Sequence, residues 1–293
     1  MSGGSIAVLA RRGVVALGGP DAEKFLNDLV TADVSRAGPG QAVFAALLTP
    51  QGKVLFDFIV LRDGDRFLID LPRSLVPDFV KRLAFYKLRA KVTIEDLSAE
   101  MQILAVWGPD GVHHIDGIAA PDPRLAALGW RVIAPADQPP TLNRFSAATE
   151  AEYDAHRIAL GIPEGGIDFA YGDPFPHDAD MDQLGGVDFA KGCYIGQEVV
   201  SRMEHRGTAR RRFILARAAG GLPAAGAEAT AGNKPVGTLG SSTGDLALAL
   251  VRLDRAKEAM DAGVPITAGG ATLTLTLPGW ARFGWPAATA DKD

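Results

Sequence analysis

Apolar and polar residues alternate in short runs through the first hundred positions, and two stretches interrupt that rhythm with a helical period. Residues 6–10 and 13–17 read as strands, after which Gly19-Pro20-Asp21 opens a helix to about residue 30 with proline in its first turn. Runs 41–49 and 54–61 flank Pro50-Gln51-Gly52-Lys53, a hairpin signal, and Asp63-Gly64-Asp65 turns the chain into a further strand at 66–71. A helix over 74–89 places Leu75, Phe79, Leu83 and Tyr86 on one stripe, and a strand follows at 91–97. The pattern partly recurs as strands 101–107 and 130–135, a short helix near 124–128 and a helix over 148–160, which predicts a second, related unit. The fold class is therefore α+β, with helices packed on antiparallel sheet. Residues 218–233 are rich in Ala, Gly and Pro and read as a loop or loose hairpin. Strands at 235–241, 246–253, 264–267 and 271–277 then predict a small β-barrel or sandwich. The expected organisation is a core over 1–207, divided near 98, and a barrel over 208–293.

Composition narrows the class without naming a chemistry. The 293 residues are 47% hydrophobic and 22% charged, with net charge −5, so broad affinity for nucleic acid is not implied. A single cysteine excludes an internal disulfide framework and any four-thiolate site made by one chain. No apolar run approaches the roughly 18 residues of a membrane span, and the N-terminal stretch has its apolar part before Arg11 and Arg12, the wrong order for a secretory signal. The expectation is a cytoplasmic protein of bacterial type, with neither DNA nor a membrane as partner. Charge is unevenly spread. Six aspartates from Asp168 to Asp188 precede the cysteine, and six arginines from Arg202 to Arg217 follow it.

That cysteine lies in Lys191-Gly192-Cys193-Tyr194-Ile195-Gly196-Gln197-Glu198. A helix predicted from Gly196 to Glu204 puts Cys193 at or just before its N-terminus, where backbone N–H groups favour a thiolate, and Lys191 adds positive charge nearby. A lone cysteine is also commonly a small buried hydrophobe, and both readings stay open. His177, Asp178, Asp180 and Asp182 begin like a calcium loop, but Gln183 and Phe189 stand where the glycine and bidentate glutamate belong, so no metal is assigned. His113-His114 is a weak ligand pair.

The string KGCYIGQEVVSR, preceded by FPHDADMDQLGGVDF and followed by HRGTARRR, resembles the YgfZ family of folate-binding, iron–sulfur cluster assembly proteins. These are relatives of the T-protein, the aminomethyltransferase of the glycine cleavage system. GPDAEKFLNDLVTADV, TPQGKVLFDFIV, HRIALGIPEGGIDF, GTLGSS and LALALVRLD extend the resemblance along most of the chain. It implies two related α+β units forming a folate-binding core, plus a C-terminal β-barrel. It implies an accessory factor that assembles, repairs or delivers iron–sulfur clusters to client enzymes, with tetrahydrofolate as ligand, rather than a conventional enzyme. In a eukaryote, the location implied is the mitochondrial matrix. One thiol cannot hold a cluster alone, so a transient cluster would borrow ligands from a partner chain, a second copy or a small thiol. The alternative is a folate-dependent one-carbon transferase. Here the chain departs from the T-protein, because Phe56-Asp57 replaces paired aspartates.

A pterin offers adjacent donors that a carboxylate satisfies, and its glutamate tail wants a cation. Glu164, then Asp168, is the expected carboxylate, and Arg157 the expected tail contact. Tyr194 is a candidate to face the ring, with Gly196, Gln197, Glu198 and Asp57 as further contacts. Cys193 and Lys191 form the candidate reactive pair.

Overall fold

The computed structural model describes residues 3–108, 116–140, 145–207 and 209–286. His113-His114 lies outside them. The first sheet is antiparallel, in the order Val43–Leu48, Val54–Asp63, Arg66–Pro72, Arg12–Gly18, Thr93–Asp96. Two helices, α1 (Ala22–Asn27) and α2 (Val76–Lys87), accompany it. The side chains of Val76, Phe79 and Leu83 form the buried stripe of α2. The Phe79 ring lies 5.2 Å from both Phe56 and Phe58, which share one face of their strand at the two-residue period. Phe56 is thus a core residue, and Asp57 between them points to the opposite face, where it is also buried.

The second sheet runs in the order Ser146–Ala148, Ser5–Val8, Met101–Trp107, Trp130–Pro135, Ile118–Pro121. Its first pair is parallel and the rest antiparallel. The N-terminal strand therefore belongs with residues beyond 98 rather than with the first hundred, because a tight turn (Arg12 N–H to the Leu9 carbonyl, 3.0 Å) sends its pairing to Met101–Trp107. The two sheets share a buried chain of alternating charge. Arg12 donates to Asp70 (2.6 Å); Arg131 lies 3.4 Å from Asp70 and 3.3 Å from Asp122; Arg124 pairs with Asp122 at 2.7 Å. Tyr153 Oη accepts from both Arg124 and Arg131.

The third sheet has seven strands in the order Ala271–Thr272, Ile266–Ala268, Glu228–Ala231, Lys234–Thr243, Leu246–Arg252, Arg211–Arg217, Thr274–Thr276. Residues 271–276 pair at one end with Ile266–Ala268 and at the other with Arg211–Arg217, which nearly closes it into a barrel. Two features here lie outside the sequence reading. A strand at Glu228–Ala231 sits in the Ala/Gly/Pro-rich stretch, and helix α5 spans Leu253–Asp261.

Two further helices lie among the described residues: α3 (Glu150–Ala159) and α4 (Gln197–Arg206). Packing divides the chain differently from the expected boundary at 207. One compact unit is Met1–Tyr153 with Leu184–Val199; the other is Asp154–Gln183 with Val200–Asp293. The reason is that 154–183 bonds to barrel residues. Arg157 reaches Ser241, Trp280 donates to the Leu160 carbonyl (2.7 Å), and Arg212 pairs with Asp180 and Asp182.

Candidate functional site

The loop carrying the cysteine is tied down on both sides within the first unit. Thr31 accepts at its backbone carbonyl from Asp188 N–H (2.9 Å), and its hydroxyl donates to the Gly186 carbonyl (2.6 Å) while accepting from Ala46 N–H (2.8 Å). Asp188 then turns the chain by accepting from the N–H groups of Ala190 and Lys191. The Lys191 ammonium enters a cage of four oxygens: the carbonyls of Asn27 (2.8 Å), Val30 (2.7 Å) and Ala32 (2.9 Å), and Asn27 Oδ1 (3.0 Å). Burial draws its pKa down to about 8, against the pull of Asp33, Asp188 and Asp28.

Beyond it, Tyr194 is buried and Ile195 packs on the core of the first sheet. The Lys191 ammonium sits 5.5 Å from the Tyr194 ring centre, and burial, with Asp188, pushes the phenol up to about 12. Tyr194 is thus a packing residue. Gly196 has φ +81°, and a Cβ there would lie 2.6 Å from the Thr49 carbonyl and 3.0 Å from Gly52 Cα. Gly52 likewise has φ +80° and faces Val199. The two glycines let the hairpin turn at 49–53 meet the start of α4. Gly196 is a structural contact between backbones; Gln197 is half-buried, and Glu198 is exposed.

Cys193 is exposed between these anchors. It is not at the helix terminus, since α4 begins at Gln197, and the Lys191 charge is engaged with carbonyl oxygens. The Lys191 charge expected beside the thiol is thus spent on those carbonyls. The loop also forms one wall of an open cleft of about 610 Å³, lined by Asp33, Arg36, Phe44, Asp122, Asp188 and Phe189 among others. The sequence reading did not single out this cleft; the exposed aromatic Phe189 beside the motif was its one local sign.

The residues expected to bind a pterin form a different cluster, within the second unit. Arg157 is fully buried and pairs with Asp154 (2.7 Å), Asp168 (2.7 Å) and Glu164 (3.3 Å), and donates to the Ile162 carbonyl (3.1 Å). Burial opposes its charge, yet Asp168, Glu164 and Asp154 hold its pKa above the usual guanidinium value. Asp168 also accepts from Glu164 N–H, Ser241 N–H and Ser241 Oγ, and Gly240 leaves room for it. Arg157 and Asp168 thus do not fit direct contact with a ligand. Glu164 retains 6% exposure. The aspartates before the cysteine are spent in the same way: Asp178 accepts from Arg211 at 2.7 Å, and Asp180 and Asp182 accept from Arg212. Burial raises the Asp180 pKa well above the ordinary carboxylate value despite Arg212. Arg211 and Arg212 thus meet the acidic segment, whereas Arg210 and Arg217 pair with Asp254 and Asp245.

Two family models match: the GCVT N-terminal domain over residues 9–139, and the CAF17 C-terminal beta-barrel domain over 210–283. The chain is 31% identical to the mitochondrial iron–sulfur cluster assembly factor IBA57 of Mus musculus, covering 94% of this chain and 84% of that protein. The chain belongs to the IBA57-type family of iron–sulfur cluster assembly factors. The relatives carry the name IBA57 rather than YgfZ. The IBA57 homolog of Mycosarcoma maydis is 33% identical over 71% of this chain, and this chain spans only 56% of that relative's length. The fold is also that of the glycine cleavage system aminomethyltransferase T from Bartonella henselae, with TM-score 0.75, 17% identity, and coverage of 96% of this chain and 87% of that one. The IBA57-type chain therefore has a T-protein-like α+β core and a near-closed C-terminal barrel. No described helix is long and apolar enough to cross a membrane.

Proposed function

We propose that this chain acts in iron–sulfur cluster assembly, offering Cys193 as a ligand to a cluster in transit, and that it binds tetrahydrofolate. The observation that carries the reading is an exposed cysteine on a loop fixed by buried neighbours at both ends. The named activity of the IBA57 relatives points the same way. On binding iron the thiol gives up its proton, and the remaining ligands come from a partner protein, a second copy or a small thiol. Transfer rather than storage suits a chain that supplies one thiol. Glu164, oriented by Arg157, supplies the carboxylate for a pterin edge.

The test is complementation of a deletion strain combined with a tetrahydrofolate titration. Cys193→Ala is expected to fold and bind tetrahydrofolate as wild type does, and to fail to restore cluster-dependent enzyme activity. Full restoration by Cys193→Ala would remove the thiol from the function. Glu164→Gln is expected to weaken tetrahydrofolate binding by about ten-fold or more, the loss of one charge-assisted bond. Absence of saturable tetrahydrofolate binding to wild type would remove the folate half and leave the thiol half standing.

A further inference from the structure

The end of α2 carries an anomaly that neither the core nor the cysteine loop explains. Phe85 is 72% exposed and Leu88 is 90% exposed, the two most exposed large apolar side chains among the described residues. Phe85 stands on the side of α2 away from the buried Phe79 and Leu83 stripe, and Leu88 lies just past the helix end. Leu88 follows the helix with φ 43° and ψ −103°, a turn conformation that suits glycine and is costly for a side chain. Solvent exposure gives Leu88 nothing in return. Phe85 is held edge-on against Tyr86, with ring centres 5.6 Å apart. Along α2 and just past its end Lys81, Arg82, Arg89 and Lys91 are exposed, with Asp78 on the helix and Asp21, whose carboxylate accepts from Lys91 N–H at 2.7 Å, as the neighbouring acids. A local cationic excess thus stands on a chain whose net charge is −5.

We propose that this tip docks the protein reversibly on an anionic membrane surface. Phe85 and Leu88 enter the headgroup boundary, and the flanking cations meet lipid phosphates. Charge complementarity selects this occupant. The lysine stems let the ammonium groups reach phosphate while apolar neighbours insert, and Arg82 and Arg89 offer forked donors to the same phosphates. Two protruding side chains are also few beside the twenty or so residues that a stable protein interface uses on each side. The attachment lies on the surface of the bilayer and needs no spanning helix.

Co-sedimentation with vesicles tests it, using phosphatidylcholine alone and phosphatidylcholine with about one third phosphatidylglycerol. Wild type is expected to pellet with the anionic vesicles, to stay in solution with neutral ones, and to be released as salt is raised. Leu88→Gly is the discriminating variant. It removes the backbone strain, so its melting temperature should equal or exceed that of wild type, while partition falls by about ten-fold, the loss of one inserted leucine. Lys81→Glu with Arg82→Glu should abolish pelleting and leave the fold intact. If wild type stays in solution with anionic vesicles at low salt, or Leu88→Gly binds as wild type does, the proposal is overturned. In the first case an acidic protein surface becomes the partner to seek.

Discussion

Lys191 ties the cysteine motif to the turn after α1. Its ammonium satisfies four oxygens that the turn after α1 leaves pointing inward. Replacing it with methionine keeps the stem and removes the donors, so those carbonyls lose their partner. Lys191→Met is expected to cost about 1–3 kcal/mol in urea unfolding, the penalty of unsatisfied buried acceptors. The rate of Cys193 alkylation in the folded variant should change as well, because the loop that presents the thiol loses its anchor. Unchanged stability and unchanged alkylation would show that the cage is incidental. Gly196 allows a second residue-scale test. With φ +81° and a Cβ position 2.6 Å from the Thr49 carbonyl, Gly196→Ala should destabilise by about 2 kcal/mol or more, and Gly192→Ala, where a Cβ meets open space, by much less.

At the scale of elements, α3 and the loop after it are organised by one arginine. Arg157 reaches Asp154 on its own helix, Glu164 and Asp168 in the following loop, and Ser241 on a barrel strand. Removing one member of a buried, hydrogen-bonded charge set strands the others, so Arg157→Met should cost about 3–5 kcal/mol by chemical denaturation. A loss below about 1 kcal/mol would mean the network is solvated. The two α+β sheets of the first unit depend likewise on Asp122. Burial opposes its ionisation, but Arg124 and then Arg131 outweigh that and hold its pKa below the usual carboxylate value. A lowered folded pKa means that the stabilisation is complete above the unfolded value of about 3.9 and is lost as pH falls through the folded value. Asp180 acts with the opposite sign, because its raised pKa favours the fold in acid and weakens that contribution as pH rises. Comparing urea stability of wild type and Asp122→Asn from neutral to acid pH isolates the first effect. The difference between them is expected to shrink as pH falls below about 4.

Across the molecule, periodicity located most elements. The strands at Met101–Trp107 and Trp130–Pro135, the hairpin around Gly52 and the helices α2, α3 and α4 were legible, because burial of one face imposes a period on the chain itself. The motif also singled out Cys193 as worth testing but left open whether it is buried; the structure exposes it. Other features were not legible. Ser5–Val8 pairs across nearly a hundred residues, and α5 follows a strand with no strong stop signal. The charges misled most. Arg157, Asp168 and Lys191 looked like groups aimed at a ligand or a thiol, yet they are turned to partners within the protein. Local sequence determined where the backbone bends, which residues must be buried and which lone thiol stands in a glycine-flanked loop, since those follow from sterics and solvent exclusion over a few residues. Only the tertiary structure decided which charge meets which, because an ionic partner is chosen by distance in space, and residues far apart in the chain come within bonding range only after the sheets have formed.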